Sequence, residues 1–286
     1  MEEFKKHRLD KVKPSPFDPR DIYFSNKMCS TIILPDEYDL SGYIKRIESQ
    51  GTLGSCSGQG SSYMMETLEA IAQKPHYELS PMYLYYKERE MEGTVRVDSG
   101  AYIRDAMKVL QKHGICKESL CPYVERNFAQ KPSEEAEEDA KNHMIEGYQR
   151  LTSVNQIKTC IAQNKPVLIG MKLYTSFDTK MVELTGIVPM PNKAKEKYDG
   201  SHCMLISGFN DNFANERNIK VKPGMSGGYF KVVNSWGSNW GENGFCYIPY
   251  EMIEEMHDIW AVKEGPTGNI FASIVNVIKN LLTKRY

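Results

Sequence analysis

Apolar residues recur along this chain with two different periods, and the period changes near residue 150. After Ser55, the run CSGQGSSYMMETLEAIAQK places Met64, Met65, Leu68, Ile71 and Ala72 at helical spacing, which predicts a helix capped by Ser55 and ended by Pro75. Ser80-Pro81 fits an N-cap followed by the first helical residue and predicts a second helix. A third is predicted from Tyr102 to Lys112, stopping at Gly114. Beyond residue 150, VNQIKTCIAQNK reads as a short helix and PVLIGMKL as a buried strand. HCMLISGFN, GGYFKVVNSW and GFCYIPY follow as strand-like runs broken by Gly and Asn. Helices first and strands later predict an α+β protein with a helical half and a sheet half. No internal repeat is evident.

The ends depart from this pattern. Pro14, Pro16 and Pro19 exclude helix there, so residues 1–34 are predicted to form an extended arm, one that packs on the domain or meets a protein partner rather than inhibiting it. Residues 41–55 carry loop signals, and the charged stretch 130–146 is predicted to be a solvated surface segment. In residues 265–286, Ile270, Ile274, Val277, Ile278, Leu281 and Leu282 fit an amphipathic helix. Its basic residues are only Lys279, Lys284 and Arg285, so docking on protein, its own domain or a partner, is favoured over a membrane surface. The main domain is therefore placed at residues 35–264.

Composition narrows the function classes. Hydrophobic residues make up 41% of the 286 and charged residues 26%, an ordinary globular balance. With a net charge of -1 and no basic run interleaved with aromatics, nucleic acid is not an expected partner. No run of 18 apolar residues predicts a transmembrane helix, and MEEFKKHRLDKVKPSPFDPRD lacks the apolar core of a secretory signal. Seven scattered cysteines, an odd number, do not look like a disulfide framework. A cytoplasmic, reducing location is expected. Cys116 and Cys121 (GICKESLC) have a gap that zinc ligands use, but no second pair of matching spacing follows, so no metal and no organic cofactor is expected.

Three separated segments carry candidate chemistry: Gln50-Gly-Thr-Leu-Gly-Ser-Cys56, Gly200-Ser-His202 leading into an apolar run, and Asn234-Ser-Trp236-Gly-Ser-Asn-Trp240-Gly-Glu-Asn-Gly244. Cys56 falls in the first turn of the predicted helix, where free N–H groups and the helix dipole favour a thiolate. Taken singly, a buried thiol is the commoner reading of such a residue. His202 opens a strand, a rigid position suited to a base, though a core histidine is commoner. Asn234 ends a strand, where a plain turn residue is commoner and an amide orienting the imidazole is the functional alternative. Gln50 lies six residues before Cys56; its amide and the Cys56 N–H are a candidate oxyanion hole.

Together these segments resemble the papain family of cysteine peptidases over about residues 35–262, with NSWGSNWGENGF (234–245) the most specific match. The resemblance implies a papain-like two-lobed α+β fold, a helical lobe followed by a β-barrel-like lobe with the cleft between. It implies Gln50, Cys56, His202 and Asn234 as catalytic residues acting on peptide or protein substrates through a thioester. Ser99-Gly100-Ala101-Tyr102 is similar to the family's substrate-binding strip, and with Trp236 these are the residues expected to meet substrate. Ala101 stands where a second glycine is usual. Ser57 stands where the family has a large aromatic, and Leu53 and Asp98 occupy the positions of its usual disulfide. The arm is shorter than the family's inhibitory propeptide. These departures look more like bacterial, archaeal or viral members than lysosomal cathepsins; viral origin would make a virion-associated location the alternative to cytoplasm. The rival functions are another Cys-His amide hydrolase or transamidase, and a catalytically silent structural or interaction protein with the same fold.

Overall fold

The computed structural model describes residues 12–25 and 33–263. A short strand, β1 (Glu37–Asp39), leads into the helical lobe, which holds α1 (Cys56–Ile71), α2 (Pro81–Glu92), α3 (Ile103–Lys112) and α4 (Glu134–Ala140). The sheet lobe follows as β2 (Tyr148–Arg150), α5 (Val154–Ala162), β3 (Val167–Tyr174), α6 (Lys180–Thr185), β4 (Tyr198–Asn210), α7 (Phe213–Glu216), β5 (Tyr229–Val233), β6 (Phe245–Pro249) and β7 (Met256–Val262). All strand pairs are antiparallel, in the order β2-β7-β3-β4-β5-β6, with β1 also on β4.

The apolar stretches 167–171 of β3 and 203–206 of β4 arise because both faces of the sheet are covered there. Val167, Ile169, Met171, Met204, Ile206 and Val232 point into the sheet lobe's own core. The alternate residues Leu168, Cys203, Leu205 and Val233 point the other way, into a core shared with Tyr63, Met64 and Leu68 of α1 and with Ile103 and Met107 of α3. The sheet is thus the wall on which the helical lobe rests, and α1 lies directly against β4.

Local chemistry sets the helix ends. Ser80 Oγ accepts from the Tyr83 N–H with Pro81 behind it, and Gly93 closes α2 at φ +72°. The segment 130–146 is not merely solvated. Ser133 caps α4, and Ala136 and Ala140 are fully buried against Tyr83 and Cys116. Two alanines among charges are too weak a stripe to be read as a buried face.

The arm's described part, residues 12–25, lies along the domain. Lys13 forms a parallel bridge with Tyr102, and the Ser15 N–H donates to Asp258 Oδ2 at 2.8 Å. The Arg104 guanidinium donates to Pro16 O at 2.6 Å. Further on, the Phe24 N–H donates to Arg150 O at 2.9 Å. The predicted tail helix at 265–286 lies outside the described residues.

Gly114 stops α3 at φ +79°, and a Cβ there would sit 1.9 Å from Ala140 O, which is backbone and cannot swing aside. Gly114→Ala is therefore expected to cost about 3 kcal/mol from left-handed strain plus overpacking. Urea unfolding of the variant checks this; an unchanged midpoint would show that α4 does not hold its place as described.

Candidate active site

Cys56 begins α1 as its first residue, preceded by Ser55 at the N-cap. The Ser55 side chain makes no capping bond; its hydroxyl instead contacts Tyr123 OH. The first amides of α1 are thereby left facing Cys56 rather than a cap. The Cys203 backbone N–H reaches the Cys56 sulfur, so the thiol sits beside the residue that follows His202. Burial dominates the thiol's energetics: it pushes the Cys56 pKa up to about 12, and the amides of Cys203, Ser57 and Cys56 only partly offset this.

His202 lies near the start of β4, opposite Met171 of β3, and is fully buried. Register pairs Val233 with Leu205, so Asn234 emerges from β5 on the same side of the sheet. His202 Nε2 and Asn234 Oδ1 are 2.8 Å apart. The carbonyl acceptor assigns the proton to Nε2, which turns Nδ1 to the other side of the ring. Asn234 Oδ1 also accepts from the Ser235 N–H at 2.8 Å. Trp236 lies over the imidazole with centroids 5.1 Å apart, and its ring is in turn packed by Phe177 and Trp240. This aromatic wall keeps water from the His202–Asn234 bond. The loop that carries it is tightly wound: a Cβ on Gly241, at φ +63°, would meet Phe245 O at 2.2 Å.

Gln50 is buried and held at four points. Its Nε2 donates to Leu53 O at 2.9 Å, Ser235 Oγ donates to its Oε1 at 2.7 Å, its N–H donates to Ser235 O at 2.9 Å, and Tyr123 OH donates to its carbonyl at 2.8 Å. Ser235 and Tyr123 were not singled out by the sequence. Ser235 sits within the NSW motif and was the more findable of the two; nothing in the local pattern around Tyr123 points to Gln50.

The strip 99–102 lies between α2 and α3. Gly100 adopts φ +67° and its N–H donates to Tyr85 OH at 3.1 Å. Ser99 Oγ turns back to Thr94 Oγ1 and Gly100 O, and the Tyr102 N–H donates to Glu92 Oε1 at 2.9 Å. Gly100 and Ala101 are buried, and Trp236 is only 8% exposed and packs against His202. Asp98 is tied to the residue after Leu53: the Gly54 N–H donates to Asp98 Oδ1 at 3.0 Å, and the Tyr85 hydroxyl donates to the same oxygen. Ser57 Oγ, beside the nucleophile candidate, donates to Glu88 Oε2 at 2.7 Å. Burial holds the Glu88 carboxyl well above its usual range. Among the described residues no cluster of three metal-ligating side chains occurs, and no helix is long and apolar enough to cross a membrane.

Comparison with known proteins points the same way. Residues 34–259 match the family model described as papain family cysteine protease. An uncharacterised peptidase C1-like protein of Acanthamoeba polyphaga mimivirus is 33% identical over 229 residues, covering 75% of this chain and 68% of that protein. A cysteine protease of Blomia tropicalis is 24% identical over 225 residues, of which the chain spans 61% of the length. Among solved structures, xylellain, a cysteine protease from Xylella fastidiosa, superimposes with a TM-score of 0.77 at 29% identity, covering 90% of this chain and 98% of that one.

The Asp98 carboxylate ties the loop before Cys56 to the strip at Gly100 through Tyr85. Asp98→Ala removes an acceptor used by two donors and is expected to cost about 3 kcal/mol, and Asp98→Asn, which keeps a carbonyl, about 1 kcal/mol. Equal losses for the two variants in urea unfolding would show that the acceptor is not what matters.

Proposed function

The chain belongs to the papain family of cysteine proteases, and from that premise we propose that Cys56, His202 and Asn234 form its catalytic triad, with Gln50 completing the oxyanion hole. It is a cysteine peptidase; peptide or protein is the proposed substrate. The observation that carries the assignment is the 2.8 Å contact between His202 Nε2 and Asn234 Oδ1, with the thiol reached by the backbone N–H of the next residue, Cys203.

In the proposed reaction Cys56 transfers its proton to His202, and the thiolate attacks the peptide carbonyl carbon. The oxygen takes up negative charge, which the Cys56 N–H and the second Nε2 hydrogen of Gln50 stabilise. The C–N bond breaks as the imidazolium gives its proton to the leaving amine, leaving a thioester. His202 then takes a proton from water, hydroxide adds to the thioester, and the thiol is released with the carboxylic acid. Asn234 holds the ring plane throughout. The energetic difficulty is the buried thiol. At a pKa of about 12 it is neutral at every physiological pH, so the reactive anion depends on imidazolium being formed beside it. Gly100 and Ala101 are proposed to present backbone to the substrate, and Lys13 beside Tyr102 places the arm at that edge. A reducing, cytoplasm-like compartment suits the free thiols and is part of the proposal.

The pH profile of Cys56 alkylation tests the pair. With His202 present, alkylation is expected to hold a plateau around pH 6. In His202→Ala the raised thiol pKa acts alone, so the thiolate fraction falls tenfold for each pH unit below about 12, and the rate at pH 6 drops by more than a hundredfold. Superimposable profiles would rule out the ion pair. Peptide hydrolysis and labelling by an epoxide thiol-protease probe are both expected to vanish in Cys56→Ala. Turnover of small amides alone would favour the amide-hydrolase reading, and neither label nor turnover in the unaltered chain would leave a silent fold.

Gln50 generates a further prediction. Ser235→Ala frees Gln50 Oε1 without touching the triad side chains, so kcat/KM is expected to fall about tenfold, roughly one neutral hydrogen bond, mostly in kcat. An unchanged kcat would show that Gln50 needs no such anchor.

A further inference from the structure

Two cysteines outside the active site share a contact. Cys116 follows the end of α3 and is fully buried with Tyr83, Ala136 and Ala140; Cys121 is partly exposed and packs on the same cluster. Their thiols are hydrogen-bonded to one another. The short loop between them is pinned at both ends by Ser80, whose N–H donates to Cys116 O at 2.8 Å and whose hydroxyl donates to Cys121 O at 2.5 Å. Lys117 within the loop is tied to Asp139, N–H to Oδ2 at 2.9 Å and Nζ to Oδ1 at 2.9 Å. The loop that carries the two hydrogen-bonded thiols is therefore anchored by contacts that do not involve the sulfurs.

The two thiols are not equivalent. The hydrogen bond from Cys116 favours the anion at Cys121 and, against the opposing effect of burial, holds its pKa below the usual thiol value. Cys116 is pushed up, first by the bond it makes to Cys121 and then by burial. The more exposed sulfur is thus the readier nucleophile, and the buried one waits behind it. Burial pushes the thiols of Cys203 and Cys246 up.

We propose that Cys116 and Cys121 are a thiol-modification site that closes to an intramolecular disulfide on reaction with a low-molecular-weight disulfide, the partly exposed Cys121 meeting the reagent and the buried Cys116 resolving. The Cys121 thiolate attacks one sulfur of the reagent, the reagent's S–S bond breaks, and one thiolate leaves and takes a proton from solvent. In the mixed disulfide Cys121 no longer carries charge, so the first cause of the raised Cys116 pKa is gone. Cys116 loses its proton and attacks Cys121 Sγ, expelling the second small thiol. The protein dithiol is oxidised by two electrons and the reagent is reduced to two thiols. Tyr123, two residues beyond Cys121, carries the hydroxyl that donates to Gln50 O at 2.8 Å and contacts Ser55. The closed ring would fix the chain from which that hydroxyl reaches the active-site loop.

The test uses the full chain as Cys56→Ala, equilibrated with oxidised and reduced glutathione at graded ratios, acid-quenched, alkylated and mapped by mass spectrometry. Cys116 and Cys121 are expected to resist alkylation, lose two hydrogens between them and retain no glutathione. They are expected to do so at about tenfold less oxidised glutathione than a free peptide spanning residues 113–124 requires, the gain from holding the thiols together. In Cys116→Ser the glutathione is expected to stay on Cys121, and in Cys121→Ser no adduct forms at Cys116. Both thiols remaining alkylatable at ratios that oxidise the peptide would overturn the proposal. So would glutathione retained on Cys121 while Cys116 is present, and the chain that keeps both cysteines decides this even if Cys116→Ser fails to fold.

Discussion

The site depends on a seam of backbone pairing between residues 48–50 and 235–237. Ser49 bridges Trp236, the Gln50 N–H donates to Ser235 O, and the Gly237 N–H donates to Glu48 O. One side of the seam leads into α1 and Cys56; the other leaves β5 and carries Asn234. The sulfur and the imidazole come from different lobes, and the seam adds to the packing of α1 on β4 in fixing their relation. Ser235 strengthens it with a side-chain bond to Gln50. One short segment therefore aligns the proposed nucleophile, the residue proposed to orient the base, and the proposed oxyanion donor.

Burial works both for and against this arrangement. It makes the His202–Asn234 bond strong and lets Trp236 exclude water from it. The same exclusion of water pushes the Cys56 thiol up to about 12. The helix-start amides and the Cys203 amide offset only part of the cost of charging it. Reactivity is then a property of the pair, and neither residue has a meaningful titration alone.

The departures from the family pattern have physical replacements. In place of a disulfide near positions 53 and 98, a carboxylate at Asp98 accepts from the Gly54 amide and from Tyr85, whose oxygen in turn receives the Gly100 N–H. A disulfide constrains mainly the unfolded chain, whereas this relay stabilises the folded one and is indifferent to thiol reductants. In place of a large aromatic after the nucleophile, Ser57 pairs with Glu88 under α1. Burial pushes the Glu88 carboxyl well above its usual range, which favours its neutral form so close to Cys56.

The family, the α+β division near residue 150 and the triad candidates were legible from sequence because they rest on local signals: helical and strand periods, caps, and short motifs whose residue types the chemistry requires. Gly114 was readable as a helix stop for the same reason. Tertiary structure alone decided what depends on residues far apart in the chain. It decided which imidazole nitrogen faces Asn234, that Tyr123 and Ser235 hold Gln50, that Ala136 and Ala140 are core despite their charged neighbours, and that Asp98 meets Gly54. Hydrogen bonds across more than forty residues leave no periodic trace, since each partner is an ordinary polar residue in its own stretch of chain. Sequence determined which groups are available for the chemistry; the fold decided their distances, protonation and support, because these depend on what packs against them.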